Sequence, residues 1–517
     1  MPKRHGKKPP FGNNKSTEID QFDRALNKNQ YLIIGLFTLA VFIKTVLLSA
    51  AYPIFTNVDE PEHYDVISKY GRGHIPVSED IFDDQTSLIT IVKSTREYIL
   101  NEQQIAGYKD IYRGKIQDIP EGLKHRILQN TKHRCGEGGQ PPLYYSLMAL
   151  AKIASEKIGL YDEYIVYALR SVNAFFLSAL VIMAFIFVKR YYPSDTVLAI
   201  GVPVLLMMIP QTAFYQIGND VLSPLVFLAA CYFLFAIIFE KDLKLSTAAL
   251  AGIFTAAALL TKLSNAPVYL LLGVAVISKM RLIKHTLYKK QIIIGIVIMA
   301  FFAVVPPALW FIRNYMVLGD FSGFGNRIEM LGWVRKSFAA WLMHPIFSFK
   351  GLFIFARDLI AKSWRGEFAW HGESLRSPVA DAIYLGSTLL FAGTAMMRAM
   401  TRKKGGIEAL LSLIVITFIS ELVYLSVSFD FGRCYYPSAT YPFITSGRLI
   451  LGALVPLLIL YVQGFRIIVA RLGASKTAHQ LFFLIMIMVV TDVIEFKVNL
   501  PVFMAKRNLY YYMMEGK

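Results

Sequence analysis

Runs of about twenty apolar residues recur along this chain, and nothing else in it constrains the fold as strongly. A bilayer's hydrocarbon core takes about 20 helical residues to cross, and backbone polar groups inside it must be paired within the segment. Segments of this kind lie near 31–53, 163–188, 195–217, 221–239, 246–263, 265–280, 291–312, 379–398, 407–428, 443–463 and 478–496. The pair spanning 246–280 is short, with Asn265 and Pro267 where it would break. Composition agrees: of 517 residues 55% are hydrophobic and 17% charged, a balance foreign to soluble domains. The expected fold class is an all-α polytopic membrane protein with about 11 transmembrane helices and a large external first loop of interfacial helices.

The net charge of +18 does not mark a nucleic-acid binder, because Lys and Arg sit in short clusters beside helix ends. Lys189-Arg190, Lys241 to Lys244, RLIKHTLYKK (281–290), RAMTRKK (398–404) and Arg466 to Lys476 all fall on one side once MPKRHGKK is placed in the cytoplasm. That is the positive-inside pattern. It divides the chain into a basic tail, 1–30; a first membrane module, 31–312, with an external loop at 54–162; a second external loop, 313–378; and C-terminal helices with an outer-surface tail, 379–517. The bilayer is the first partner implied, and no removable signal peptide is expected. Cys135, Cys231 and Cys434 lack the spacing of a metal site or a disulfide framework, so no metal centre is expected.

Directly after the first apolar run stands NVDEPEHYD, with Asp59, Glu60, Glu62, Asp65 and His63 within nine residues. The residue before a proline avoids the α region, whereas Pro61 suits a first helical position. An interfacial helix starting at Pro61 is therefore expected, with Glu62 and Asp65 on one face and Asp59 free at the mouth of the first span. A carboxylate there either accepts a proton from a reacting hydroxyl or caps and solvates a helix start.

A long external loop opening on an Asp-Glu pair after the first span resembles the C-type glycosyltransferase superfamily, which includes protein O-mannosyltransferases and the lipid A aminoarabinose transferase. The chain is also similar to a large bacterial family of multi-spanning membrane proteins of unknown function. The resemblance rests on DEPEH (Asp59–His63), PPLYY (Pro141–Tyr145), ND (Asn219–Asp220), RNYMVLGD (Arg313–Asp320), KSWRGEFAW (Lys362–Trp370) and GRCYYP (Gly432–Pro437), in that order. Trp364-Arg365 and Cys434 depart from that pattern. The resemblance implies a membrane glycosyltransferase that moves a sugar from a polyprenyl-phosphate-linked donor to a glycan, lipid or protein acceptor. The site would face outward from a bacterial inner membrane, with an acidic residue of the first loop as base.

On that reading Asp59 is the first candidate for the base and Glu60 the second. A lipid phosphate leaving group needs positive charge rather than an acid, and the bidentate fork of arginine suits it. Arg313, Arg365, Arg433, Lys262 and Lys362 are the candidates. Each arginine alternatively snorkels to headgroups, whereas Lys262, inside an apolar run, needs a cavity or a partner. Lys44, deeper in the first run, needs the same. Asp220 is a second site carboxylate or a helix cap. His63 steers Asp59, binds a divalent cation or does neither. Tyr144 and Tyr145 line an acceptor groove or belong to an aromatic belt; Trp364, Phe368 and Trp370 stack on a sugar or pack the loop. No cofactor beyond that cation is expected. Two rivals remain: a non-catalytic lipid or polysaccharide flippase or export component, and an O-antigen-type ligase or polymerase. The orientation is tested with alkaline phosphatase fused after Asp110, Thr286 or Lys404: activity is expected only at Asp110, and the reverse pattern inverts the topology.

Overall fold

The computed structural model describes residues 21, 23–56, 59–77, 79–94, 115–130, 133–283, 288–401, 406–432, 434, 436–505 and 508–515. It is a helical membrane bundle. Among the described residues seven helical segments are long and apolar enough to cross a bilayer: Gln30–Ala51, Asp162–Tyr191, Leu263–Ile283, Lys289–Leu318, Pro378–Thr401, Ile407–Ser428 and Gly447–Arg471. Three more expected spans are shorter apolar helices, Thr196–Met208, Ser223–Phe239 and Leu245–Thr261, and the last expected span is the 27-residue helix Thr477–Phe503.

The helices are α1 (Gln30–Ala51), α2 (Glu60–Gly71), α3 (Asp84–Val92), α4 (Glu121–Asn130), α5 (Pro142–Lys157), α6 (Asp162–Tyr191), α7 (Thr196–Met208), α8 (Ser223–Phe239), α9 (Leu245–Thr261) and α10 (Val268–Ile283). They continue with α11 (Lys289–Leu318), α12 (Gly325–Met330), α13 (Phe338–Trp341), α14 (Phe349–Arg365), α15 (Pro378–Thr401), α16 (Ile407–Ser428), α17 (Leu454–Arg471), α18 (Thr477–Phe503) and α19 (Leu509–Glu515). The short spans have a physical cause. α7 stops at Met208 and the chain runs as a 3-10 turn, Thr212–Tyr215, before α8; α9 stops at Thr261, Lys262 is extended, and another 3-10 turn precedes α10. Irregular backbone of this kind is tolerated in a membrane protein only where protein buries it. Here Asn265 Nδ2 donates to the Ala258 carbonyl at 2.9 Å, Asn219 Nδ2 donates to the Thr261 carbonyl at 3.2 Å, and Ser223 Oγ donates to Asn265 Oδ1 at 2.9 Å. The sequence break at Asn265 and Pro267 is thus the junction of α9 and α10.

The two long loops are folded. α2 begins at Glu60, one residue earlier than the proline rule places it, and Asp59 precedes it without capping it through its side chain. α5 packs against α2 and α6. The second loop joins the end of α16 through an antiparallel pair, Val334 opposite Asp430. Glycines let the loops close. A Cβ on Gly139 would stand 2.3 Å from the Gly323 carbonyl oxygen, and one on Gly447 would stand 2.3 Å from the backbone of Lys362.

One buried ion pair pins the start of the first loop to the bundle. Arg170 of α6 meets Glu60 at 2.7 and 2.6 Å in a bidentate pair, and neither side chain is exposed. The guanidinium also donates to the carbonyls of Ser49, Tyr52 and Pro53 at 3.1, 2.6 and 2.9 Å. Glu60 accepts further from the N–H groups of Phe55 and Ile217, both at 3.0 Å. Its oxygens are saturated, which corrects the expectation that it stands ready to take a substrate proton. Breaking such a pair costs about 3–5 kcal/mol, because it strands a buried charge. Glu60→Ala is therefore expected to lower the thermal unfolding temperature in detergent sharply, and Glu60→Met with Arg170→Met to recover part of the loss. Equal stability of the parent and Glu60→Ala would remove the pin.

Candidate functional site

With Glu60 turned inward, Asp59 faces the other way. It is 7% exposed and pairs with Arg448, which opens the 3-10 turn Gly447–Ala453 ahead of α17; Arg327 Nη2 of α12 lies 3.8 Å from its other oxygen. Arg448 also reaches Asp220 at 4.0 Å, and Asp220 is paired with Lys262 at the α9–α10 break. Arg327 continues to Glu137 in the first loop. The three carboxylates and three cations therefore come from the first loop, the two broken helix junctions, the second loop and the head of α17.

Around this core the backbone is held by buried polar side chains. Tyr144 hydroxyl accepts from the Gly218 N–H at 3.1 Å, fixing the turn that carries Asp220. His63 Nδ1 lies 2.8 Å from the Tyr145 hydroxyl. Beside Arg448, Lys362 Nζ donates to the Tyr436 hydroxyl at 2.7 Å and Thr445 Oγ1 at 3.1 Å, and is 3.7 Å from Glu367. Ser446 Oγ donates to Glu367 at 3.1 Å.

Electrostatics separates the carboxylates. Burial pushes the Asp59 carboxyl up, but the guanidinium groups of Arg448 and Arg327 outweigh it and hold the group well below the usual carboxylate range. Glu62, one turn further, is raised to about 7, by burial first and then by the Asp59 charge. Its Oε2 is buried without a hydrogen-bond partner among the described residues. His63 falls to about 4 because burial outweighs the pull of Asp59 and Asp220, so its imidazole is neutral at physiological pH. No group of three or more His, Cys, Asp or Glu among the described residues is arranged to hold a metal ion.

The structure thus brings Asp59, His63, Asp220, Lys262 and, through Gly218, Tyr144 into one region. Two arginine expectations need correction. Arg313 donates to the carbonyls of Ile75 and Pro76 at 3.0 and 3.2 Å and lies over the Trp310 ring, so it staples the first loop instead of joining the cluster. Arg365 is spent on Asp381 at 2.8 Å and on the Gly366 carbonyl at 3.1 Å. Arg433 lies outside the described residues. Trp364, Phe368 and Trp370 are buried, Trp364 stacking on Tyr384, so they pack the loop. Lys44 pairs with Asp492 at 3.6 Å. Sequence reasoning missed Arg448, Arg327, Glu137 and Arg170. Arg448 and Arg170 lie inside expected spans, where the criterion applied to Lys262 picks them out equally; Arg327 and Glu137 carry no local signal.

A family model described as a predicted membrane protein, DUF2142, matches residues 42–434. No curated protein matches the chain. Among solved structures, ArnT from Cupriavidus metallidurans bound to undecaprenyl phosphate aligns with TM-score 0.41 and 12% identity, over 92% of this chain and 74% of that one. The apo oligosaccharyltransferase from Archaeoglobus fulgidus aligns with TM-score 0.37 and 10% identity over 89% of this chain, which spans 56% of that protein.

The protonation pattern has a measurable sign. Between the ordinary Glu value of 4.5 and about 7, the unfolded chain releases a proton that folded Glu62 keeps. Its stabilising contribution is therefore full at acid pH and lost as pH rises through about 7. The unfolding temperature of Glu62→Gln relative to the parent is expected to climb from pH 4.5 to 7 and then level off. A difference constant over that range would contradict the assignment.

Proposed function

We propose that this chain, which belongs to the DUF2142 family of predicted membrane proteins, is a membrane glycosyltransferase. It would transfer a sugar from a polyprenyl-phosphate-type lipid to a glycan, lipid or protein acceptor of the cell envelope. The observation that carries the reading is the ionised Asp59 at the loop end of the first span, buried against Arg448 and Arg327 and one ion pair removed from Lys262–Asp220. Hydrolases and transporters need carboxylates too. The combination of one ionised carboxylate with several cations at the junction of bundle and loops suits a reaction between a lipid phosphate and a hydroxyl.

In the step we propose, the acceptor hydroxyl gives its proton to an Asp59 oxygen as its own oxygen bonds the anomeric carbon. The bond from that carbon to the phosphate oxygen breaks, and the phosphate leaves with the electron pair. Arg448 pairs with one Asp59 oxygen and Arg327 stands 3.8 Å from the other. Turning those donors toward the incoming phosphate frees an Asp59 lone pair and raises its basicity, so donor binding itself arms the base. Lys262 and Lys362 add positive charge for the leaving group. The basic clusters meet at the opposite helix ends, where Arg190 pairs with Glu240 and Arg466 with Asp195. That supports a cytoplasmic N-terminus, with the site on the outer side of a bacterial inner membrane.

A second reading, lipid or polysaccharide translocation, draws on the Lys44–Asp492 pair and buried Glu495 and Asn499 of α18. One experiment separates them: radiolabelled polyprenyl-phosphate sugars in proteoliposomes, comparing the parent with Asp59→Asn and Arg448→Lys. Transfer is expected to drop about 10²–10⁴-fold in Asp59→Asn, with Arg448→Lys raising KM for the donor. Full transfer in Asp59→Asn would remove the base; label that only changes leaflets would favour translocation.

A further inference from the structure

The second loop presents an apolar surface that no other part of the bundle covers among the described residues. Phe338, Leu342, Met343, Phe347, Phe349 and Leu352 are exposed by 71, 70, 85, 60, 90 and 54%. They lie on α13, the turn that follows it, the 3-10 turn Pro345–Phe347 and the first turn of α14. A surface protein rarely leaves so many large side chains in water. The segment is not slack: His344 and Ile346, between the exposed residues, are 3% and 2% exposed. His344 Nε2 is 3.0 Å from the Pro442 carbonyl, and Ser348 Oγ caps α14 by accepting from the Gly351 N–H at 3.0 Å. The apolar side chains are held outward by a fixed backbone.

Continuity with the bundle indicates what covers them. Trp341 of α13 meets Tyr424 edge to face, with ring centroids 5.6 Å apart, and Tyr424 is 54% exposed on the outer surface of α16. That residue is one turn from the end of α16 at Ser428, so the patch extends the bundle's lipid-facing surface at the level where the span ends. Its backbone includes a proline-led 3-10 turn, which the hydrocarbon core does not tolerate. Exposed Arg335 precedes it and exposed Lys350 stands within it, as cations accompany segments that rest among anionic headgroups. We infer that Phe338–Phe353 is an interfacial anchor, its exposed apolar side chains immersed in the boundary between headgroups and acyl chains of the bilayer that α16 enters.

The occupant is lipid, and the consequence is positional. α14 runs about 20 Å from Phe349 at the anchor to Lys362 at the site, so an immersed anchor fixes the depth of Lys362. The test uses a Cys434→Ser background, in which Cys135 and Cys231 are buried, with a nitroxide on Met343→Cys, Phe349→Cys or, as a water-facing control, Glu373→Cys. The protein is reconstituted in phosphatidylethanolamine–phosphatidylglycerol vesicles, after confirming that each variant keeps the parent's elution volume and unfolding temperature. Collision with oxygen is expected to exceed collision with a water-soluble nickel chelate several-fold at positions 343 and 349, and the order to reverse at 373. Positions 343 and 349 reading like 373 would overturn the inference. So would protection from both reagents, which would mean a protein partner or a second copy covers the face.

Discussion

The Glu60–Arg170 pair is the contact on which the geometry of the site depends. It ties the first residue of α2 to the buried face of α6, and the same guanidinium gathers the carbonyls that end α1. Because Glu60 also accepts the Ile217 N–H, one carboxylate aligns the first loop with the turn that carries Asp220. Two neighbouring acids consequently do opposite things. Glu60 is sunk and saturated, and Asp59, one peptide away, is turned toward Arg448. Burying both charges without partners would be prohibitive; each has its own arginine.

The second constraint is close approach of backbones. Gly139 against Gly323 and Gly447 against Lys362 leave no room for a Cβ, and these contacts bring Arg327 and Arg448 within reach of Asp59. The shortened helices serve the same end. By stopping α7 and α9 early, the chain places Asp220 and Lys262 on buried irregular segments, whose backbone groups are met by Asn219, Asn265 and Tyr144. Polar side chains that read as helix breakers in the sequence are thus the partners that make the breaks tolerable.

Within the cluster, burial and neighbouring charge divide the labour among acids. Asp59 is kept ionised by two guanidinium groups, and burial together with the Asp59 charge raises Glu62, whose buried Oε2 has no hydrogen-bond partner among the described residues. The cluster thus sets ion-paired carboxylates beside a carboxyl that titrates near neutrality.

The sequence by itself determined the architecture, because runs of twenty apolar residues and the side preference of Lys and Arg are local properties governed by the bilayer. α1, α6, α15 and α16 lie within a few residues of their expected places, and the break between α9 and α10 falls where Asn265 and Pro267 put it. Part of the site was legible on the same ground: Asp59, Asp220 and Lys262 are polar residues at the ends of apolar runs, and the fold gathers them. Only the tertiary structure decided the partners. Whether an arginine snorkels, staples a loop or clamps a carboxylate depends on which distant segment arrives beside it. So Arg313 and Arg365 are spent on structure, whereas Arg448, nearly four hundred residues from Asp59, completes its pair.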